Sequence, residues 1–419
     1  MPRLIKQLFR LLPDPLQERI RRIRALAADI VLPIYRIERA GVTVIQIGRQ
    51  ASDPYIAHLL YGSYLHGEKV GSVPAWNIGH AIRRWETSAD LIFFRNEQFR
   101  PPDPIARRML TLPYFVQQVV DLPPSSSDML SHFYNEATHW TLKSNLKSIR
   151  KARFEHEFNR DPGMLNHFYH HLYVPYIRER YLDTAEILSW PGFQGLYGAM
   201  ELMLIRRKGR IVAGCVNQHI GNTYRMHVAG VLSADKEFLK TGIVSALYWF
   251  SFCEAHRRGC LEVDLGVSRP FMKDGLLEYK KKWRSRVTPS MYKRTGIWLL
   301  PCGNRPEMFR ALEDNPFFCE LDGRLTGLIF LGGNTVLDDG ELAAYLERVS
   351  YPGEHHSVCV VLLTQAWASR AGTIRGIMNI HSKVHRILDL SRNPLAELPA
   401  RLRDREAMDE ANAGDAAAP

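Results

Sequence analysis

Between residues 42 and 128, short apolar runs alternate with turn-forming text: "VTVIQI" at 42–47, "ADLIFF" at 89–94, and "RMLTLPYFVQQVVD" at 108–121, which ends in "LPPSSSD". Runs of this length bounded by Gly, Pro and Ser read as β-strands. They predict a small α/β unit over 40–125. From Met129 the apolar spacing turns helical through "MLSHFYNEATHWTLKSNLKSIRKARF", with Ser127 or Asp128 as N-cap. Lys143, Lys147, Arg150, Lys151 and Arg153 make the end of that segment basic, which suits a helix C-terminus. This helix is expected to link the two halves of the chain, and a second helix begins at Asp161-Pro162.

Three alternating runs follow, "AMELMLIRR", "RIVAGCVNQHI" and "TYRMHVAGV", joined by the "KG" and "GN" turns. Two-residue turns of this kind predict an antiparallel meander. "KTGIVSALYWFSFCEAHRRG" is apolar on most sides, as a helix packed on a sheet would be, and stops at Gly259. It leads into "CLEVDLGVS", which reads as an interior strand. Over 301–400 the text alternates strand, helix and strand, predicting an α/β appendage in which "LTGLIFLGG" pairs with "SVCVVLLTQ". The charged, Ala-rich tail 401–419 has little to bury and is expected to be disordered.

Residues 1–39 form a basic N-terminal segment. Leu4, Ile5, Leu8, Phe9 and Leu12 recur at helical spacing, with Arg3, Lys6 and Arg10 largely off that face. This pattern suits an interfacial helix touching a membrane through residues 1–26, or a helix docked on the protein itself or on a second subunit. Pro13 and Pro15 limit the helix to about three turns. The apolar stretch "ALAADIVLPIY" is broken by Asp29 and Pro33, so no membrane-spanning helix is expected.

Composition bounds the rest. A chain of 419 residues with 46% hydrophobic content can bury two or three cores. The net charge of +11 favours anionic partners without choosing among nucleic acid, phosphorylated cofactors and acidic lipid headgroups. Six cysteines without a CxxC pair suggest neither zinc nor a disulfide framework and fit a reducing cytoplasm. His167, His170 and His171 lack accompanying carboxylate spacing, so no metal site is expected. There is no Walker loop, dinucleotide fingerprint, serine nucleophile elbow, zinc finger or basic zipper.

Candidate chemistry begins with "DGLLEYKKKWRSR" at 274–286, where basic residues surround Tyr279 and Trp283 directly after a buried-looking strand. Tyr279 and Trp283 are spaced to pack on one side of a helix, with Lys281, Lys282, Arg284 and Arg286 on a solvated or phosphate-facing edge. Asp264 lies in an apolar stretch, where a lone carboxylate would cost several kcal/mol; it needs a partner or a function. His227 titrates in the range of a general base.

Taken in order, "SIRKA" at 148–152, "EAHRRGCLEVDLG" at 254–266 and "GLLEYKKKW" at 275–283 resemble the FemAB-like and CelD-like branch of the GNAT acyltransferase superfamily, over about residues 40–300. The resemblance implies an α/β (α+β) fold: a mixed, mostly antiparallel sheet flanked by helices, in tandem units over 40–125 and 126–300. It implies that "TYRMHVAGV" and "CLEVDLGVS" part at the sheet centre, with an acyl donor in the gap. Backbone N–H groups near Val228, Gly230 and Val231 would then meet the donor carbonyl, and Thr241, Gly242 and Ile243 would offer N–H groups to phosphate.

Lys280 holds the family's lysine position and is expected to pair with Asp264 across the site, with His227 as the third catalytic candidate. Arg150, Lys151 and Tyr279 are the substrate-binding candidates. The family's Gln/Arg-x-x-Gly-x-Gly/Ala pyrophosphate loop is absent, "EFLKTGIVSA" keeping only Gly242. The implied activity is acyl transfer from acetyl-CoA or another acyl-CoA to an amine of a metabolite or cell-envelope precursor. Two other readings stay open: an aminoacyl-tRNA donor on the same fold, and a catalytically silent scaffold at a membrane surface.

Overall fold

The computed structural model describes residues 30–48, 67–95, 99–124, 126–135, 140–181, 187–232, 241–290, 297–321, 323–333, 337–351, 356–380 and 386–404. The expected amphipathic helix within 1–26 lies outside the described residues. Of the tail read as disordered over 401–419, residues 401–403 instead close a short helix whose Leu402 is buried, because that leucine finds the core, and the residues beyond 404 lie outside the described residues.

The chain forms two large, mostly antiparallel sheets flanked by helices. In chain order, β1 (Val31–Arg39), β2 (Val42–Gly48), β3 (Glu68–Pro74), β4 (Leu91–Arg95) and β5 (Leu110–Leu112) belong to the first sheet. The second holds β6 (Val116–Asp121), β7 (Glu155–Asn159), β8 (Glu201–Arg207), β9 (Arg210–Ile220), β10 (Thr223–Val231), β11 (Glu262–Ser268) and β12 (Arg286–Pro289). The chain then returns to the first sheet with β13 (Ile297–Pro301), β14 (Phe317–Leu321), β15 (Arg324–Leu331), β16 (His356–Leu362) and β17 (Arg386–Asp389).

The first sheet runs β17-β16-β15-β14-β5-β13-β4-β2-β1-β3, and the second runs β12-β6-β11-β10-β9-β8-β7. β13 inserts between β4 and β5, so the strands of 297–389 continue the sheet begun by residues 31–112. Without that return, β4 and β5 would carry unpaired backbone edges, which proteins generally cover. β1, which falls in the segment read from sequence as N-terminal, pairs along its length with β2 and β3. β15, β16 and β17 pair in parallel, with the expected match of Leu325–Leu331 to His356–Leu362. "RMLTLPYFVQQVVD", which reads as one strand, is two strands in different sheets, parted at Pro113. Proline cannot donate to a ladder, so pairing breaks there.

The second sheet carries the meander as expected: β8, β9 and β10 are antiparallel neighbours. The "KG" turn takes positive φ at both Lys208 and Gly209, the conformation of a tight hairpin. The Ile243–Arg257 helix then crosses to β11, which pairs in parallel with β10. Gly259, at φ 74°, ends that helix, and Cys260 N–H reaches back to the Ala255 carbonyl.

One face of this sheet packs on the Trp140–Ala152 and Ile243–Arg257 helices, through Leu146, Ile149, Ala246, Leu247 and Phe252. The other packs on the continuous run Pro162–Tyr181, a helix with a π turn at Tyr169–Tyr173, and on Phe193 of the Trp190–Tyr197 helix. The two sheets share a core in which Val116, Met272, Leu277 and Val287 meet Phe318, Leu325 and Ile329. No described helix is long and apolar enough to cross a membrane.

Candidate functional site

The site forms where β10 and β11 stop pairing. They match at Thr223, Tyr224 and Arg225 against Glu262, Val263 and Asp264, and no further, although β10 continues to Val231 and β11 to Ser268. Both strands are irregular directly beyond the last pair. β10 shifts register against β9 between Met226 and Val228, and β11 shifts against β6 between Asp264 and Val267. Bulges re-aim side chains and end pairing. Gly266 takes φ 73°, and a Cβ there would sit 3.3 Å from the Met226 carbonyl oxygen, so glycine fits the turn of the strand.

The last matched pair is an ion pair. Arg225 Nε donates to Asp264 Oδ2 at 2.6 Å, with the carboxylate 4% and the guanidinium 16% exposed. Asp264 Oδ1 accepts from Gln117 Nε2 at 2.5 Å and from Gly266 N–H at 2.8 Å. A buried carboxylate with three donors meets the requirement that its burial imposes. Among the described residues, Gln117 Oε1 has no partner although it is buried. Turning the amide would set oxygen against carboxylate oxygen, so the carboxylate fixes its orientation.

Lys280 and Asp264 do not form the direct pair expected from sequence. Lys280 Nζ, on the short Gly275–Lys281 helix, donates to the carbonyls of Gly266 and Val267 at 3.2 and 2.9 Å and to Ser268 Oγ at 3.1 Å. These three acceptors, all at the bulged end of β11, match the three protons of the ammonium form. The reason is local: the bulge frees those carbonyls from the ladder, and a buried donor must replace it. Burial pushes the Lys280 pKa down to about 7, against the opposing fields of Asp264 and Asp274. Gln118 completes the support. Its Oε1 accepts from Ser268 Oγ at 2.8 Å, while its Nε2 donates to Ser285 Oγ and the Leu277 carbonyl at 2.9 and 3.1 Å.

His227 occupies the bulge of β10, half-buried, with Nε2 3.1 Å from Gln218 Oε1 and its ring 5.6 Å from that of Tyr197. That contact puts the proton on Nε2 and leaves Nδ1 as the basic nitrogen. Burial, and then Arg225, lower its pKa, with Asp264 opposing, so the ring is neutral near pH 7. Val228 and Gly230 face the Pro162–Tyr181 run, while Val231 faces the Ile243–Arg257 helix. Gly230 is a packing requirement: a Cβ there would stand 2.6 Å from Tyr173 N.

Gly242 opens the Ile243–Arg257 helix in a left-handed conformation, φ 80°, directly after Thr241 and against Ser148 and Asn145 of the Trp140–Ala152 helix. Ile243 is buried, and its N–H and the next two lack helical acceptors because they begin the helix. The preceding residues 233–240 lie outside the described residues.

Tyr279 is half-buried; its hydroxyl meets Ser245 Oγ at 2.9 Å, and burial pushes its pKa up to about 12. Trp283 is fully buried and stacks on Tyr248 at 6.0 Å. Of the flanking cations, Arg284 is exposed, while Lys281 and Arg286 are held by polar partners. Lys281 donates to the Glu347 and Arg348 carbonyls, and Arg286 pairs with Asp121 and Glu262. Arg150 and Lys151 are exposed on the last turn of their helix, Arg150 within the field of Asp128. No described residues group as a metal site.

Sequence reasoning missed Arg225, Gln117 and Gln118. A signal existed for the glutamines, since two amides within the buried run "FVQQVV" demand partners. Nothing local indicated that those partners lie about 150 residues away.

No family model matches the chain, and no curated protein matches it. Solved structures similar to it include L-PGS from Bacillus licheniformis, at 12% identity over 65% of this chain and 81% of that one, TM-score 0.32. FemX aligns at 12% identity over 64% and 83%, TM-score 0.34. A GCN5-related N-acetyltransferase from Sphaerobacter thermophilus aligns at 13% over 63% and 74%, TM-score 0.31. The chain's own strand order, with one helix crossing between parallel β10 and β11 whose pairing stops at Arg225 and Asp264, gives it a GNAT-like mixed α/β fold.

Proposed function

We propose that the chain is an N-acyltransferase that moves an acyl group from an acyl-coenzyme A to an amine of a metabolite or cell-envelope precursor. The observation that carries this reading is the interrupted pairing of β10 and β11 beyond Arg225 and Asp264. The freed edge of β10 at Val228–Val231 suits the amide-bearing arm of the donor, as an added strand would. The N–H groups that begin the Ile243–Arg257 helix, behind Thr241 and Gly242, suit its phosphates.

In the transfer, the amine nitrogen attacks the thioester carbonyl, a C–N bond forms and the C–S bond breaks. His227 Nδ1 takes the proton that the amine loses, and the imidazolium so formed gives it to the departing thiolate, which restores the neutral base. Asp264 and Arg225 fix the place where the strands part. Lys280 is read as a positioning residue, because its Nζ is spent on the carbonyls and hydroxyl at the bulge of β11. Six cysteines without disulfides fit action in the cytoplasm.

The test is a thermal-shift titration with coenzyme A, acetyl-coenzyme A and longer acyl thioesters, run beside deacylated and charged tRNA. A ligand at about 100 times its Kd adds about 2.7 kcal/mol to the native state. Stabilisation by thioesters is the expected result. Stabilisation by tRNA alone replaces the donor with an aminoacyl ester, and no response to either leaves the fold as a binding scaffold.

A further inference from the structure

We infer that the edge of the first sheet around Trp76 is a docking surface for an anionic lipid bilayer. Trp76 lies in the short turn Ala75–Asn77 that follows edge strand β3, and it is 72% exposed. Val31 pairs with Pro74, so the start of β1 runs beside that turn; Val31 is 50% and Ile30 40% exposed. Three large apolar side chains are thus presented to solvent at one corner of the sheet.

The Ile78–Trp85 helix extends this surface. It buries Ile78, Gly79, Ala81 and Ile82 and turns His80, Arg83 and Arg84 outward. These lie four, seven and eight positions after Trp76, the spacing of one helical face. No acidic residue occurs from Ala75 to Trp85. In the sequence, residues 1–29, which precede Ile30, carry seven Lys/Arg against three Asp/Glu.

An exposed indole beside aliphatic side chains and flanked by arginines matches the two layers of a bilayer surface. The ring settles at headgroup depth and the guanidiniums meet lipid phosphate. A nucleic acid would use the indole and the cations but would gain nothing from Ile30 and Val31, which have no ring for a base to stack on.

The experiment is co-sedimentation of the full chain with phosphatidylcholine vesicles, with and without about one third phosphatidylglycerol. Wild type is expected to sediment only with the phosphatidylglycerol vesicles. Arg83→Ser with Arg84→Ser should weaken that binding roughly 25-fold, about fivefold per charge, and Trp76→Ser roughly tenfold. All three positions are exposed, so the unfolding temperature should not move.

The inference is overturned if wild type sediments with neither vesicle, or if the variants sediment like wild type, which would leave residues 1–29 as the whole contact. It is equally overturned if Trp76→Ser abolishes self-association or RNA binding and leaves vesicle binding unchanged. None of these outcomes depends on the acyl-transfer reading.

Discussion

Replacing Asp264 with Asn tests whether the junction of β10 and β11 is held by charge. The carboxylate is 4% exposed and accepts from Arg225, Gln117 and Gly266. An Asn can keep Gln117 and Gly266 on its oxygen, but its NH2 then faces the Arg225 guanidinium, donor against donor. Arg225 loses its compensating charge while only 16% exposed. Breaking a buried pair from one side costs about 3–5 kcal/mol, and the solvent still reaching Arg225 places this case near 3. Arg225→Met alone should cost a similar amount, because it strands the carboxylate. The double variant strands neither charge, so it should cost clearly less than the two singles added together. The cycle should therefore give a coupling of about 2–3 kcal/mol. Urea unfolding followed by circular dichroism measures all four proteins. A coupling below about 1 kcal/mol, the range of exposed pairs, would refute the reasoning.

Two further outcomes follow from the same corner of the fold. The Lys280 pKa falls from 10.5 unfolded to about 7 folded, so from pH 7 to 10.5 the unfolded chain binds a proton that the folded chain does not. Stability should rise with pH across that window, by at most about 1.4 kcal/mol per unit, and Lys280→Met should flatten the rise in denaturation midpoints taken at several pH values. Gly230→Ala places a methyl 2.6 Å from Tyr173 N, so the backbone of β10 or of the helix must move; a loss of roughly 2 kcal/mol in unfolding free energy is expected.

The sequence determined those features that local chemistry dictates. The "KG" turn, the Asp161 cap and the Gly259 stop are visible because each depends on residues within a few positions of itself. The meander β8–β10 and the crossing helix to β11 follow from periodicity and short connections. Burial of Asp264 was legible too, since a carboxylate in an apolar run must find a donor, although its donors were not.

Only the tertiary structure decided that β13 returns to lie between β4 and β5, that β6 leaves its neighbours to pair with β11 and β12, and that Lys280 caps a bulge instead of meeting Asp264. These are pairings between segments up to about 200 residues apart. A strand's sequence states which face is apolar, but its backbone donors and acceptors are the same in every strand. Which edge it joins, and which carbonyls a bulge then leaves for a lysine to fill, is settled by the packing of the whole chain.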